Sequence, residues 1–239
     1  MQVKTQAMVV QSIRYAEADL IVKMYTKELG LVSYIVRNVL KSKKGKLRAS
    51  FFQVGSFLEI DAIHKAKKGL NTLKEVKPSF HLKTIHSNIV KSSLVTFLFE
   101  IVSQILVEEE PDEFLFEFFY KNFKYLDETD DISLFHVFFL LKLTSFHGCY
   151  PDNLNMQAPE FDIESGQFTV ASKNYNIISG LSLINFKIIL ESEIEDLRNI
   201  KIKKTERKEL LNNVLNYYSF HMPGYREPKS LIILEQLFN

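Results

Sequence analysis

Cysteine is nearly missing from this chain: there is one, Cys149, in 239 residues. A single thiol excludes an intramolecular disulfide and a cysteine-rich zinc site, which needs four ligands. Long apolar runs are missing too. The best candidate, SLVTFLFEIVSQILVEEE, is interrupted by Glu100 and Gln104 and reads as a buried helix, not a membrane span. The opening MQVKTQAMVVQ lacks the charged-then-apolar layout of a secretory signal. A cytosolic protein is the expectation. Catalytic signatures are absent as well. Gly45-Lys46 lacks the upstream glycine and the following Ser/Thr of a phosphate-binding loop, and there is no Gly-x-Ser-x-Gly elbow or His-Glu-x-x-His zinc helix. The six histidines (His64, His81, His86, His136, His147, His221) are scattered. The acidic run Glu108-Glu109-Glu110-Pro111-Asp112-Glu113 lies along one edge, whereas a hard cation needs ligands converging from several directions. No catalytic residue, metal ligand set or cofactor is expected.

What is present is an uneven charge. The net charge is +1, yet residues 1–80 hold 15 Lys+Arg against 6 Asp+Glu, a net of +9, which leaves −8 for residues 81–239. A basic half in a nearly neutral chain is the electrostatic footprint of a polyanion-binding protein. The densest stretch is Arg37 to Arg48, with six cations in twelve residues (Arg37, Lys41, Lys43, Lys44, Lys46, Arg48) and no carboxylate.

The first 80 residues read as β. AMVVQSI (7–13), LIVKMY (20–25), LVSYIVRNV (31–39), FLEIDAI (57–63) and LNTLKEV (70–76) are five short strands separated by turn signals, a pattern that suits a small barrel. Gly30 supplies a turn between the second and third. The basic stretch falls between the third and fourth strands, and Lys65, Lys67 and Lys68 fall in the turn before the fifth. Phe51 and Phe52, beside the basic stretch, suit either barrel packing or stacking on bases.

After Pro78 the apolar period lengthens to about 3.6. Helices are expected at 87–107, at 114–126 after Pro111-Asp112-Glu113, at 132–147 ending on Gly148, and at about 182–198, 205–220 and 228–238. The aromatic 114–126 helix suits a place between other helices. Residues 160–171 read as a hairpin in which Phe161 and Ile163 face Phe168 and Val170. The fold class is therefore α+β: a five-stranded barrel of the oligonucleotide-binding (OB) type, then a helical domain with a small β-hairpin insertion.

Two cationic loops on one barrel can track a phosphate backbone without reading bases, giving sequence-tolerant, salt-dependent binding. The alternative is a protein–protein adaptor whose basic face docks an acidic partner without DNA. A nuclease or ligase, the third reading, lacks convergent carboxylates and a nucleotide-linking lysine motif.

The order of motifs resembles the bacterial recombination mediator family RecO. VVQSIRYAEADLIVKMYTKELGLVSYIVRNVLKSKKGKL is similar to that family's opening: a strand, a Glu-x-Asp pair (Glu17, Asp19), Thr26 and Gly30, a further strand and a basic loop. ILVEEEPDEFLFEFF resembles its acidic-Pro joint, and LNYYSFHMPGYREPKSLIILEQL its C-terminal signature with His221, Gly224 and Lys229-Ser230. The resemblance implies an OB domain at 1–80 and a helical domain at 81–239 without enzymatic activity. It implies binding of single- and double-stranded DNA, strand annealing, and action with RecR to load RecA onto DNA coated by single-stranded-DNA-binding protein, in the bacterial cytoplasm near the nucleoid. DNA contacts are expected from Arg37, Lys41, Lys43, Lys44, Lys46, Arg48, Lys65, Lys67 and Lys68. The acidic, phenylalanine-ended tail of the single-stranded-DNA-binding protein is expected at Tyr225, Arg226 and Lys229, beside Leu231 and Leu234. One departure from the family concerns 148–180, where many members carry a four-cysteine zinc loop. Here Gly148 and Pro151 remain but only Cys149 is present, so the segment is a degenerate zinc-loop region.

Overall fold

The computed structural model describes residues 1–41, 47–64, 69–106 and 111–237. These form two compact units, Met1–Glu128 together with Pro228–Leu237, and Thr129–Glu227.

In the first unit, five strands close into a barrel in the order β1-β2-β3-β5-β4. They are β1 Gln2–Tyr15, β2 Asp19–Thr26, β3 Gly30–Val36, β4 Phe57–Ile63 and β5 Asn71–Pro78. β1 closes the barrel because it is long enough to serve two neighbours: its first half pairs with β4 and its second with β2. A register shift between Val9 and Gln11 bends the strand at the changeover. All pairs are antiparallel except β3 with β5. The alternation seen in the sequence decides which side chains point inward: Leu20, Val22 and Met24 of β2, Tyr34 and Val36 of β3, and Leu58, Ile60 and Ala62 of β4 share one core. Phe52, on a 3-10 helix at Ala49–Phe52, is 1 % exposed and belongs to that core, with Phe51 packed at its edge. Full burial of such a ring stabilises by about 1.5–3 kcal/mol.

Two helices pack on the barrel. α1 (Ile89–Ile105) starts at Asn88, whose side chain accepts from the N–H groups of Val90 and Lys91. α2 (Glu113–Glu128) is capped in the same way by Asp112, which accepts from Phe114 and Leu115. Pro111 therefore precedes the cap and is not inside the first turn. α2 packs on the barrel on one side and on α1 on another. Its Phe119 meets Tyr25, its Phe116 and Tyr120 meet Phe57 edge-on, and its Phe123 lies against Phe99 of α1. Gly55 makes room for α1: at φ +82 it lies where a Cβ would come 3.0 Å from Val95. The linker before α1 is fixed by Asp127, which accepts from the N–H groups of Lys83, Thr84 and Ile85. The last helix, α6 (Leu231–Leu237), packs on α1, and the Glu100 carboxylate accepts from the N–H groups of Lys229 and Ser230 and from the Ser230 hydroxyl.

The second unit holds α3 (Phe135–Leu143), continued by 3-10 turns to His147 and ended by Gly148 at φ +69. A three-stranded sheet follows in the order β7-β6-β8, from β6 Glu160–Asp162, β7 Gln167–Thr169 and β8 Ile177–Ser179. The expected hairpin is present, but a third strand flanks β6 on its other side. Phe161 pairs with Phe168 and packs on it and on Phe186. Val170 is 79 % exposed and takes no part in that core. A polar hub adds to the packing: Asp162 accepts from the N–H groups of Glu164 and Ser165 and from the side chains of Ser172 and Asn174. The helix expected over 182–198 is two elements, α4 (Gly180–Glu191) and a 3-10 helix at Ile194–Asn199, because Glu193 and Asp196 form a capping box that starts a new turn. α5 (Lys204–His221) completes the unit.

Candidate nucleic-acid interface

One rim of the barrel gathers the ends of three connections. The β1–β2 turn, Ala16 to Ala18, faces the start of the β3–β4 connection. Leu40 donates its N–H to the Ala18 carbonyl at 3.0 Å, and Asn38, at φ +56, donates its N–H to Asp19 Oδ1 at 2.8 Å. Lys41 Nζ reaches Glu17 Oε2 at 2.8 Å, and Val39 is buried in the barrel core. The cation-rich segment thus leaves the barrel from a fixed root. The β4–β5 connection ends at the same rim. β3 and β5 are parallel with Tyr34 opposite Asn71, so that connection enters the sheet about three residues, roughly 10 Å, from where Arg37 leaves β3.

Below this rim the outer surface of β1, β2 and β3 carries two cross-strand rows. Ile13, Ile21 and Ile35 form one, and Gln11, Lys23 and Ser33 the next. Ile13 and Tyr15 are 49 % and 51 % exposed, with Arg14 and Arg37 exposed beside them. The far end of the same surface is covered, because Tyr25 is buried beneath α2. The surface of β4 and β5 differs: Glu59, Asp61 and Glu75, with Glu28, line a cleft there alongside Lys4 and Lys77. A polyanion meets mainly cations and apolar groups on one side of the barrel and a cluster of carboxylates on the other. In this fold the outer face of strands 2 and 3 and the adjoining loops form the ligand groove.

Of the nine residues expected to contact DNA, Arg37, Lys41 and Arg48 are described, and all three are exposed. Lys43, Lys44, Lys46, Lys65, Lys67 and Lys68 lie outside the described residues. Lys41 is committed to Glu17, but both side chains are largely exposed, 64 % and 87 %, and such a pair is worth under about 1 kcal/mol. Phosphate can displace it. Sequence reasoning missed the anchoring roles of Glu17 and Asp19 and the outer row of Ile13, Ile21, Lys23 and Ile35. The alternation of β2 held the signal for the row once its inward set was known.

The residues expected to bind a partner tail divide between the units. Tyr225 and Arg226 belong to the second, where the Tyr225 ring packs edge-on to Tyr218 and burial pushes its hydroxyl up to about 12. Lys229 belongs to the first, where it is exposed and its backbone is held by Glu100. Leu231 and Leu234, expected to provide an apolar surface, are buried against the first unit; the exposed apolar residues of α6 are Ile232 and Ile233.

Comparison with known proteins agrees with the geometry. Residues 1–80 match the family described as Recombination protein O N terminal, and residues 86–231 match Recombination protein O C terminal. The chain is 38 % identical over 238 residues to a DNA repair protein RecO from Christiangramia forsetii, covering 100 % of both chains. It is likewise 38 % identical, over 242 residues and 100 % of both chains, to the DNA repair protein RecO of Flavobacterium psychrophilum. A more distant relative of the same name, from Phocaeicola vulgatus, is 28 % identical over 239 residues and 99 % of each chain. With an OB-type barrel ahead of a helical part, and matches running from end to end, this chain belongs to the RecO family of DNA repair proteins.

Proposed function

We propose that this protein is a non-catalytic recombination mediator in DNA repair. It binds single- and double-stranded DNA, anneals complementary strands and, with RecR, helps RecA load onto DNA coated by single-stranded-DNA-binding protein. In this reading residues 1–80 are the DNA-binding domain, residues 81–239 face protein partners, and the protein works in the cytoplasm at the nucleoid. The observation that carries it is the rim where the β1–β2, β3–β4 and β4–β5 connections meet above a cationic and apolar strand face, with carboxylates gathered on another side. Arg37 and Lys41 are described cations of that rim, and Lys43, Lys44, Lys46 and Arg48, with Lys65, Lys67 and Lys68, extend the two basic connections in sequence. Binding through phosphates is sequence-tolerant and salt-dependent.

The test is a gel-shift titration across salt with Lys41, Lys43, Lys44 and Lys46 all replaced by alanine. If all four contact phosphate, the slope of log affinity against log salt for single strands flattens by about 3, at roughly 0.7 per contact. An unchanged affinity and slope in a folded variant refutes the assignment. A wild-type protein that binds no DNA at low salt leaves the adaptor reading. The tail of the single-stranded-DNA-binding protein is assigned to Tyr225, Arg226 and Lys229. The Arg226→Ala/Lys229→Ala double variant is expected to lose affinity for a fluorescent tail peptide, and wild-type affinity in it moves the site elsewhere.

A further inference from the structure

Beside the end of the basic stretch, the first unit has a cleft of about 230 Å³. That is below the ~300–1,000 Å³ of sites for drug-sized ligands, so it suits one planar ring system and little more. Phe51, Phe57, Phe80 and Pro78 supply apolar walls. Phe57 and Phe80 are each braced edge-on by Tyr120 of α2, at centroid distances of 5.4 and 6.1 Å. Phe51 and Phe80 are only partly buried. The polar lining is Ser50, Gln53, Ser56, His81 and His86, and no carboxylate lines the cleft among the described residues. His86 Nε2 lies 3.2 Å from Ser56 Oγ. Burial lowers the His86 pKa, against the opposing pull of Asp127, so a neutral ring is available to donate or accept a hydrogen bond. Two exposed cations adjoin the lining in sequence: Arg48, whose carbonyl accepts from the Phe51 N–H at 3.0 Å, and Lys83, next to the lining residue Leu82.

Aromatic walls, neutral hydrogen-bonding groups and flanking cations together match one ligand class. We propose that this cleft receives a single unpaired nucleobase of bound single-stranded DNA, stacked on Phe80 and Phe51, with the adjoining phosphates near Arg48 and Lys83. The proposal rests on the DNA-binding reading and adds a preference to it. A base in a duplex reaches such a cleft only by flipping out, at a cost of a few kcal/mol, so the cleft favours single strands over duplex.

The experiment measures fluorescence anisotropy with labelled oligothymidine, an abasic strand of equal length, and a duplex. Phe80→Leu keeps the apolar volume and removes the ring. It is expected to weaken oligothymidine binding by roughly 5- to 150-fold, the range for one lost base–aromatic stack. Abasic and duplex affinities and the salt slope should not change. Phe51→Leu, on the other wall, is expected to act in the same direction and decides the matter if Phe80→Leu lowers the melting temperature. Equal losses on all three probes, or no loss on oligothymidine, overturn the cleft. A wild-type protein that binds none of the probes overturns the DNA-binding reading and the cleft with it.

Discussion

Replacing Asp19 by alanine and by asparagine separates two effects of opposite sign. Asp19 Oδ1 accepts the Asn38 N–H at 2.8 Å and, with the Leu40-to-Ala18 bond, fixes the root of the cation-rich connection. Asp19 is also an anion at the rim proposed to meet phosphates. A hydrogen bond to a charged group contributes about 1.5–3 kcal/mol, and a domain of this size shifts by about 2–4 °C per kcal/mol. Asp19→Ala is therefore expected to lower the melting temperature by roughly 3–12 °C, with the smaller values favoured because the site is half-exposed. Electrostatics alone predicts the reverse trend for DNA. Removing one anion about 8 Å from a phosphate relieves about 0.5 kcal/mol in water, a roughly twofold gain in affinity. Asp19→Asn removes the charge but keeps an acceptor for the Asn38 N–H, so it should bind DNA as tightly as wild type or about twofold more tightly. Asp19→Ala should bind more weakly than Asp19→Asn, because its basic connection is no longer held in place. Glu17→Gln is the comparison: it frees Lys41 from its exposed ion pair but keeps the Asn38-to-Asp19 and Leu40-to-Ala18 bonds of the root, and should bind slightly more tightly. Salt-titrated anisotropy on one labelled oligonucleotide, with parallel thermal melts, measures all three. If alanine and asparagine at position 19 tighten binding alike, the root does not position the cations.

Acid should destabilise the protein in two distinct windows. Burial, aided by the nearby Arg207 charge, pushes His136 down to about 3 from an ordinary 6.5, so the unfolded chain binds the extra proton between those values. Stability is then full above about pH 6.5 and falls below it by up to about 1.4 kcal/mol per pH unit. His136→Leu should flatten melting temperature against pH between 6.5 and 4, and an unchanged slope refutes this. Asp127 acts lower: burial raises its pKa, but the N–H groups of Lys83, Thr84 and Ile85 outweigh that and hold it below the ordinary 3.8. Its contribution is present above the unfolded value and lost as pH falls through the folded one, so Asp127→Asn should lower the melting temperature above about pH 4 and flatten its decline below that. For metal, burial pushes the Cys149 thiol up and so disfavours the thiolate a zinc ion needs. Elemental analysis is expected to find well under one zinc per chain, and chelator should leave the melting temperature unchanged; one tightly held zinc per chain would refute this.

The barrel was legible because its strands obey a period of two with one buried face. The expected fourth strand, 57–63, coincides with β4 Phe57–Ile63. Closure was not legible. It depends on β1 extending back to Gln2 and bending between Val9 and Gln11, and a stretch such as QVKTQ carries no apolar alternation to announce a strand. β8 went unseen for a related reason: three residues are too few to show a period, and Ile177–Ser179 is a strand only because β6 offers it an edge. The break after α4 comes from a local competition, in which the Glu193–Asp196 box outbids continuation of a helix whose apolar period carries on to Leu197. At the candidate interface, charge was readable from composition. Which carboxylates hold the basic root, and which apolar side chains face outward, required the register.

The path of the chain has a consequence for how the molecule is made. The first unit is left at Glu128 and re-entered at Pro228, so the ribosome must add about a hundred residues before α6 can reach α1 and Glu100 can gain its three donors. At ~5–20 residues per second that is an interval of roughly 5–20 s. Through it the barrel and α1–α2 exist with the face under Leu231 and Leu234 still open, while the whole of the second unit emerges and can fold. A chain stopped at residue 227 holds the molecule at that nascent stage, and should show faster proteolysis in α1 than the full chain does.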